Sequence, residues 1–257
     1  MGLPALRIYL TGTVAVQAGG VLVPQRSFPG PQGRVVFAML AAEHGTPLAR
    51  DQLAEEVWNG CPPASWDVAV RALVSKLRGL LEPVAGCSGQ ELIGAALGCY
   101  QLNLPAGAMV DLDTAGAAVH AAEAALASGE LDTAGGQALV ASMISRRPFL
   151  AGGDGPWTRG RRDRLLDVRL RALECLSEVW RRTGDPGQAA RDAETVLQLD
   201  PYRESACQLL MRAHAAAGNR ASALLAYERC RARLDADLGV APTAAMQALH
   251  LQLLSAP

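Results

Sequence analysis

Residues 63–83 restrict the fold most, because hydrophobic side chains recur there every three or four positions. At about 100° per residue they form one stripe of a helix, which carries Val70, Leu73, Val74, Leu77, Leu80 and Leu81. The opposite face carries only small or short side chains, namely Val68, Ala72, Ser75 and Gly79. Ser65 is placed to cap the start of this helix, and Pro83 is predicted to end it. The stretch therefore predicts an amphipathic helix with one face packed against a core.

The outer face of this predicted helix has a cation on each flank, Arg71 on one side and Lys76 on the other. A helix that buries leucines and presents small side chains between cations has a shape that fits the major groove of DNA. An ordinary surface helix would show the same pattern, so both interpretations stay open at this point.

The segments around this helix predict a second level of organisation. Residues 6–23 alternate and turn in the manner of a small antiparallel sheet. Further helices are predicted over residues 31–45 and from Arg50 onward, and residues 91–104 predict a β-hairpin. The order of strands, three helices and a hairpin is that of a winged helix-turn-helix. A short linker over 105–110 is expected to follow.

Almost all of the second half of the sequence predicts helices, and part of it repeats. One segment begins at Gly184 and a similar one at Gly218, an offset of 34 residues that aligns Ala189 with Ala223. This period is that of the tetratricopeptide helix-turn-helix repeat. About three such units are expected, the first at 112–146.

Together these patterns predict a mainly α-helical fold with a small β component. Residues 1–105 would form an N-terminal winged helix-turn-helix domain, and residues 111–257 an all-α, tetratricopeptide-like domain. Repeats of this kind stack on their neighbours and usually serve protein contact. Alternatively, the second domain only supports the first domain, or it forms a dimer.

Motifs of catalysis and metal binding are missing from the sequence. It contains no G-x-S-x-G, P-loop or H-E-x-x-H pattern, and its four histidines lie far apart. The six cysteines are scattered without C-x-x-C spacing, which argues against a zinc site. We therefore expect a protein that is not an enzyme and needs no cofactor.

The same cysteine pattern bears on the compartment. No hydrophobic run reaches the roughly 18 residues that a membrane span needs, and the first residues do not form a signal peptide. Reduced thiols in the cytoplasm are therefore predicted.

The net charge of the sequence gives little support for nucleic-acid binding. The chain has a net charge of −1, and residues 1–105 contain seven cations and seven anions. A neutral total is poor for a domain that must neutralise phosphates. The densest basic stretch, residues 158–171, is predicted to be a solvated helix face with internal ion pairs, and a polyanion or partner surface is the alternative.

Over about residues 5–254 the chain resembles the Streptomyces antibiotic regulatory proteins, in which an OmpR-like winged helix precedes a bacterial transcriptional activator domain. In the first half the resemblance rests on PQGRVVFAMLAAEHGTPLARDQLAEEVWNGCPPAS, VRALVSKLRGLLEP and GCYQLNLP. In the second half it rests on GDPGQAARDAE, DPYRE and ALLAYERCRARLDADLGVAPT.

The resemblance implies a sequence-specific activator of a biosynthetic gene cluster, typical of antibiotic biosynthesis. The winged helix would bind direct repeats in double-stranded promoter DNA, often as a homodimer on DNA. The sigma factor and alpha subunit of RNA polymerase would be the protein partners.

Carried over to this sequence, the recognition helix would be residues 65–82. The DNA-binding residues would be Arg34, Arg50, Ser65, Trp66, Val68, Arg71, Ser75, Lys76 and Arg78, with Val68 against a thymine methyl group. The polymerase-facing loop, 59–64, would include Asn59, Gly60, Pro62 and Pro63.

The sequence departs from the family pattern in the wing, where no arginine is present and Cys99 stands where glycine is usual. Asp67 also adds an anion to the start of the recognition helix. A second hypothesis follows from these departures: a protein-interaction adaptor, or a ligand-responsive regulator, with a weakened DNA-binding domain.

Overall fold

The computed structural model describes residues 6–255, which are mainly α-helical with two small β-sheets. The strands are β1 (Arg7–Tyr9), β2 (Ala15–Ala18), β3 (Val21–Val23), β4 (Leu48–Ala49), β5 (Ile93–Ala96), β6 (Cys99–Leu102) and β7 (Met109–Val110). The helices are α1 (Gly30–Ala42), α2 (Arg50–Val57), α3 (Trp66–Ala85), α4 (Gly89–Leu92), α5 (Asp111–Ser128), α6 (Leu131–Ser145), α7 (Pro156–Thr183), α8 (Pro186–Leu199), α9 (Glu204–Ala216), α10 (Arg220–Leu238) and α11 (Ala244–Ser255). The predicted fold class is confirmed.

The chain forms two compact units. The first comprises the residues up to Gly116 together with Ile144–Leu166, and the second comprises Ala117–Met143 together with the residues from Asp167 onward. This division differs from the predicted one, 1–105 and 111–257, because Phe149, Leu150 and Leu165 are buried in the core of the first unit. The ends of the predicted domains, residues 1–5 and 256–257, lie outside the described residues.

The N-terminal sheet contains the predicted antiparallel strands and one that the sequence did not suggest. Its order is β3-β2-β1-β7, and β7 pairs in parallel with β1. The segment 105–110, predicted to be only a linker, therefore ends as a strand of this sheet. Directly after it, the buried Asp111 carboxylate accepts hydrogen bonds from the backbone N–H groups of Leu10 and Thr11, both at 2.9 Å.

Helix α3 packs on the core through the predicted stripe. Val70, Val74, Leu77 and Leu81 are almost completely buried, in one cluster with residues of α1, α2 and the N-terminal sheet. Leu73 and Leu80 are half-buried at the edge of that cluster. The periodicity of the sequence thus identified both the helix and its buried face.

The prediction that Pro83 ends α3 is wrong, because the helix continues to Ala85. Proline lacks the N–H that would bond to the carbonyl of Gly79, yet Val84 and Ala85 are buried and keep the last turn packed. The helix ends instead before Gly86, whose φ of 71° lies in the left-handed region that favours glycine.

The wing is a three-stranded sheet with the order β4-β6-β5. The predicted hairpin starts two residues later than residue 91, because α4 occupies the preceding positions. Leu97 and Gly98 form its turn, with φ values of 50° and 79° that fit a two-residue turn of type I′.

The basic stretch 158–171 is not simply the solvated face that was predicted. Arg161 forms an ion pair with Glu43 of α1 and lies over the Trp157 ring. Arg162 donates hydrogen bonds to the backbone carbonyls of Phe149, Leu150 and Gly153, which fixes the preceding loop. These partners are distant in sequence or are backbone atoms, so a count of neighbouring charges does not reveal them.

The second unit contains the predicted helical repeat. Ala189 and Ala223, aligned by the 34-residue offset, are both fully buried. The caps repeat as well: Asp185 accepts a hydrogen bond from Gln188 N at the start of α8, and Asn219 accepts one from Ser222 N at the start of α10. Leu197 and Arg231 break the alignment, because the first is half-buried and the second is exposed.

Within residues 6–255, each helix is too short or too polar to span a lipid bilayer. All six cysteines are free thiols.

Candidate nucleic-acid interface

The outer face of α3 is open to solvent along its length. Val68 is 68% exposed, and Ala72, Ser75 and Gly79 are exposed in the same row. Because positions three and four apart lie side by side on a helix, these residues form a narrow strip of small side chains. A strip of this kind lets the helix backbone approach a partner closely.

The start of α3 is organised by Asp67, the anion that the sequence places there. Its two carboxylate oxygens form ion pairs with Arg50, at 2.7 Å, and with Arg71, at 2.6 Å. Arg50 also donates a hydrogen bond to the carbonyl of Gly98 in the turn of the wing. One carboxylate thus links the first turn of α3, the start of α2 and the wing.

This arrangement leaves the two arginines in different states. Arg71 remains 59% exposed beside the small-residue strip, and Arg50 is 28% exposed. An exposed ion pair contributes little to stability, so Arg71 can exchange its partner for a phosphate or a base edge at small cost. Arg50 is held more firmly, by a carboxylate and a carbonyl together.

Lys76 lies on the other flank of the strip and is exposed. Within residues 6–255 its ammonium group makes no hydrogen bond or ion pair, and the same holds for the hydroxyl of Ser75. Arg34, near the start of α1, is half-buried and likewise has no polar partner among the described residues. Ser65 precedes α3 as predicted, but its side chain accepts no capping hydrogen bond.

Arg78 and Trp66 are engaged within the fold. The Arg78 guanidinium donates to the carbonyl of Ile93 from Nε at 3.0 Å and from Nη2 at 2.6 Å, and it lies 5.9 Å from the centre of the Tyr100 ring. Trp66 is half-buried against the core. Both residues therefore hold α3 against neighbouring parts of the first unit.

The wing ends in an apolar tip. Leu97 is fully exposed at the turn, and Ala95 and Ala96 before it are exposed as well. The Sγ atom of Cys99 lies 3.8 Å from the Leu97 carbonyl, inside the wing. The tip of the wing thus presents hydrophobic side chains where the family pattern has an arginine.

The loop before α3 is exposed throughout residues 59–64. Its backbone turns sharply, since Asn59 has a φ of 52° and Gly60 a φ of 81°. The N–H of Gly60 donates to the carbonyl of Glu55 at 2.7 Å, which joins the loop to the end of α2. The predicted polymerase-facing residues Asn59, Gly60, Pro62 and Pro63 therefore lie together on an accessible turn.

Sequence reasoning missed two carboxylates that support the helix-turn-helix. The buried Glu56 of α2 accepts hydrogen bonds from the backbone N–H groups of Trp157 and Thr158, at 2.9 and 3.0 Å, and from the Thr158 hydroxyl at 2.6 Å. A Cβ atom on Gly155 would lie 2.2 Å from the Glu56 carboxylate, so only glycine permits this approach. A glutamate of α2 thus satisfies the first N–H groups of α7.

Glu43, just after α1, is the second of these carboxylates. It accepts a hydrogen bond from the Trp157 indole at 3.0 Å and pairs with Arg161. Partial burial raises the pKa of Glu43, but the Arg161 guanidinium and the indole N–H outweigh this effect and hold the pKa below its ordinary value. No local motif marks either glutamate; the P-W-T start of α7 is the one signal that could have suggested an acidic partner.

Known proteins are similar to this chain over almost all of its length. The family model of the bacterial transcriptional activator domain matches residues 110–254. The regulatory protein AfsR of Streptomyces coelicolor is 31% identical over 252 residues, which are 98% of this chain and 24% of AfsR. The transcriptional regulator RedD of the same species is 29% identical over 230 residues, which are 86% of this chain and 63% of RedD.

A solved structure shares the whole fold. The structure of Mycobacterium tuberculosis EmbR in complex with a low affinity phosphopeptide matches 98% of this chain and 65% of EmbR, with a TM-score of 0.87 and 27% identity. This chain thus spans about a quarter of AfsR and somewhat less than two thirds of RedD and EmbR. These relatives are named as regulators, which confirms the prediction that the chain is not an enzyme. The chain belongs to the bacterial transcriptional activator domain family and is similar to regulators of the Streptomyces antibiotic regulatory protein type.

Proposed function

We propose that this chain is a sequence-specific, DNA-binding transcriptional activator of a biosynthetic gene cluster, which recruits RNA polymerase at promoter direct repeats. The observation that carries the proposal is the outer face of α3. There a strip of small, exposed side chains runs between Arg71 and Lys76, both of which are exposed. Such a face can enter the major groove while the leucine stripe remains packed.

The residues divide by role. Arg71, Ser75 and Val68 face base edges, where Val68 meets a thymine methyl group and Arg71 a guanine. Lys76 and Arg34 contact phosphates, and Ser65 adds a hydroxyl at the start of the helix. Arg50, Trp66 and Arg78 act mainly by holding α3 and the wing, since each is engaged within the fold.

The partners that we propose are those expected of the family. Double-stranded promoter DNA is bound by α3, two copies bind adjacent repeats as a homodimer on DNA, and the loop 59–64 contacts the sigma factor or alpha subunit of RNA polymerase in the cytoplasm. Support comes from the regulator names of the relatives and from the exposure of that loop.

The test is the binding of the purified chain to promoter DNA from its own genomic neighbourhood, measured by fluorescence anisotropy over a series of salt concentrations. A scrambled duplex of the same composition is the control. We expect selective binding to the promoter and a linear fall of the logarithm of the binding constant with the logarithm of salt concentration. Equal, weak binding to both duplexes would contradict the proposal.

A second candidate function rests on the wing and the charge. With Leu97 fully exposed in place of a cation and a neutral total charge over residues 1–105, the first unit also fits an adaptor that has lost most affinity for DNA. An adaptor predicts that loss of Arg71 or Lys76 leaves promoter output unchanged. An activator predicts that output falls.

A further inference from the structure

The second unit contains an open cavity of about 420 Å³ that the DNA-binding role does not use. Its walls are α8 and α10, the first helices of the two consecutive repeats, with Leu210 of α9 and Pro201 completing it. The volume lies within the range of about 300–1,000 Å³ that is usual for small-molecule sites.

The wall formed by α10 carries two cations. Ala226, Arg229, Cys230 and Arg233 line the cavity at spacings of three and four residues, so they share one face of the helix. Arg229 and Arg233 are exposed, and within residues 6–255 neither guanidinium forms an ion pair or hydrogen bond. Arg231 lies between them in sequence and does not line the cavity; it pairs with Glu228 at 2.9 Å.

The floor of the cavity is apolar. Leu210, Ala226 and Cys230 are buried there, and Leu197 of α8 is half-buried. The Cys207 thiol beneath this floor is fully buried and donates a hydrogen bond to the Ala226 carbonyl at 3.5 Å, so it offers no polar group to solvent. A ligand that fills the cavity therefore needs a hydrophobic body.

The opposite wall, formed by α8, carries one acidic side chain, that of Glu194. Glu194 and Gln198, four residues apart on α8, face the cavity, and in the described chain neither makes a hydrogen bond or ion pair across it. Two guanidinium groups against one carboxylate leave the cavity positive. A negative charge on the ligand is thus favoured at the α10 wall and disfavoured at Glu194.

We propose that this cavity is a binding site for a small organic acid with a hydrophobic body. The acid group lies between Arg229 and Arg233, which can hold a carboxylate by charge-assisted hydrogen bonds. The hydrophobic body covers Leu197, Leu210 and Ala226. This inference goes beyond the proposed function and does not depend on it, because the site lies wholly in the second unit and needs no DNA.

The test uses the whole chain and two probes. The amphipathic dye 8-anilinonaphthalene-1-sulfonate is titrated and its fluorescence followed, and it is then displaced by octanoate or by 1-octanol, which has the same carbon chain without the charge. We expect one saturable site from which octanoate displaces the dye at much lower concentration than octanol. Dye binding without saturation, or equal displacement by the two competitors, would overturn the proposal.

Amino-acid substitutions test whether octanoate binds in this cavity, because they are expected to change its affinity in different directions. The double variant Arg229→Gln/Arg233→Gln should weaken octanoate binding by about tenfold or more, since two charge-assisted hydrogen bonds are lost. Arg231→Gln removes one positive charge from the same helix outside the cavity and should leave binding unchanged. Glu194→Gln removes the repulsive carboxylate and should strengthen binding.

Partial unfolding can only weaken binding, so it cannot produce the gain that is expected of Glu194→Gln. Circular dichroism melting of each variant checks the fold directly. Unchanged octanoate affinity in the double variant, or an equal loss in Arg231→Gln, would overturn the assignment to this site.

Discussion

Helices α3 and α7 both carry arginines, but these arginines have different surroundings on the two helices. On the first turns of α7, Arg161 and Arg162 are directed to Glu43 and to backbone carbonyls of the first unit. On α3, Arg71 and Lys76 stay exposed at the sides of a strip of small residues. The denser basic sequence, that of α7, therefore makes the larger contribution to holding the fold together. What decides the role of an arginine is how far the fold buries it against its acceptor: Arg161 is 17% exposed in its pair with Glu43, whereas Arg71, paired with Asp67, is 59% exposed. Charge density along the sequence does not report this difference.

The largest effect on stability is expected at Glu56, which accepts hydrogen bonds from the first N–H groups of α7. Glu56→Ala removes the partner of two buried backbone N–H groups and of the Thr158 hydroxyl. We expect the free energy of unfolding to fall by about 3 kcal/mol, because these donors lose their acceptor away from water. Urea denaturation followed by circular dichroism measures the loss.

Glu55→Ala is the matched control for this substitution. Glu55 is the preceding residue of the same helix, but its side chain is exposed and its carboxylate has no partner within residues 6–255. Its loss should change the free energy of unfolding by less than about 0.5 kcal/mol. Equal effects of the two alanines would contradict the capping role of Glu56.

The next effect concerns the exposed cations of α3. Arg71→Ala should weaken promoter binding by about 1–3 kcal/mol and relax the sequence preference, if it reads a base. Lys76→Ala should weaken binding to every duplex and lower the salt slope by about 1, as the loss of a phosphate contact does. Fluorescence anisotropy at several salt concentrations separates the two outcomes.

The control for both variants lies on the other helix. Arg164 of α7 is exposed and makes no hydrogen bond or ion pair in the described structure, so Arg164→Ala removes an equivalent charge. It should leave promoter affinity and the salt slope almost unchanged. A loss as large as that of Lys76→Ala would mean that overall charge, and not the face of α3, governs DNA binding.

A smaller effect is expected at Arg78, the cation of α3 that points into the fold. Arg78→Ala removes two hydrogen bonds to the Ile93 carbonyl and the contact with the Tyr100 ring. The free energy of unfolding should fall by about 1 kcal/mol, whereas Lys76→Ala should leave it unchanged. If Arg78→Ala lowers DNA affinity as much as Arg71→Ala without any loss of stability, Arg78 contacts DNA directly.

The smallest effect is a pH dependence that comes from Glu43. Its pKa is lowered in the folded chain, because Arg161 and Trp157 outweigh the opposing effect of burial. The stabilisation it provides is therefore complete above its ordinary pKa of 4.5 and is lost as the pH falls through the lowered folded value.

Urea denaturation at a series of pH values tests this, with Glu43→Gln for comparison. The difference in free energy of unfolding between the two proteins should be at most about 1 kcal/mol near neutral pH, since the pair is partly exposed, and should shrink in acid. A difference that stays constant down to low pH would contradict the role of the ionised carboxylate.

Local patterns explain what the sequence could predict. The leucine stripe of α3, its exposed outer face and the 34-residue repeat all depend on residues within one helix or one helix pair. Periodicity and capping residues act over this range, so Val70 and Asp185 could be placed without knowledge of the rest of the chain.

Features that depend on distant partners could not be predicted in this way. The strand β7 has only two residues and pairs with β1, about 100 positions earlier. Helix α3 continues past Pro83 because Val84 and Ala85 are buried by other elements. The acceptors of Arg161 and of the first N–H groups of α7 are glutamates that are more than 100 residues away in sequence.

The parallel pairing of β1 with β7 also bears on how the protein is made. On the ribosome, β1 emerges early but cannot complete its sheet until residue 110 has been synthesised, and Glu56 finds its donors only after residue 158. Until then the helix-turn-helix is exposed with part of its core uncovered, a state that invites aggregation or capture by chaperones. A fragment cut at residue 105 would remain permanently in that condition. The first unit therefore needs residues 144–166 as well as those up to Gly116, and a cut in the linker after the wing would not isolate it.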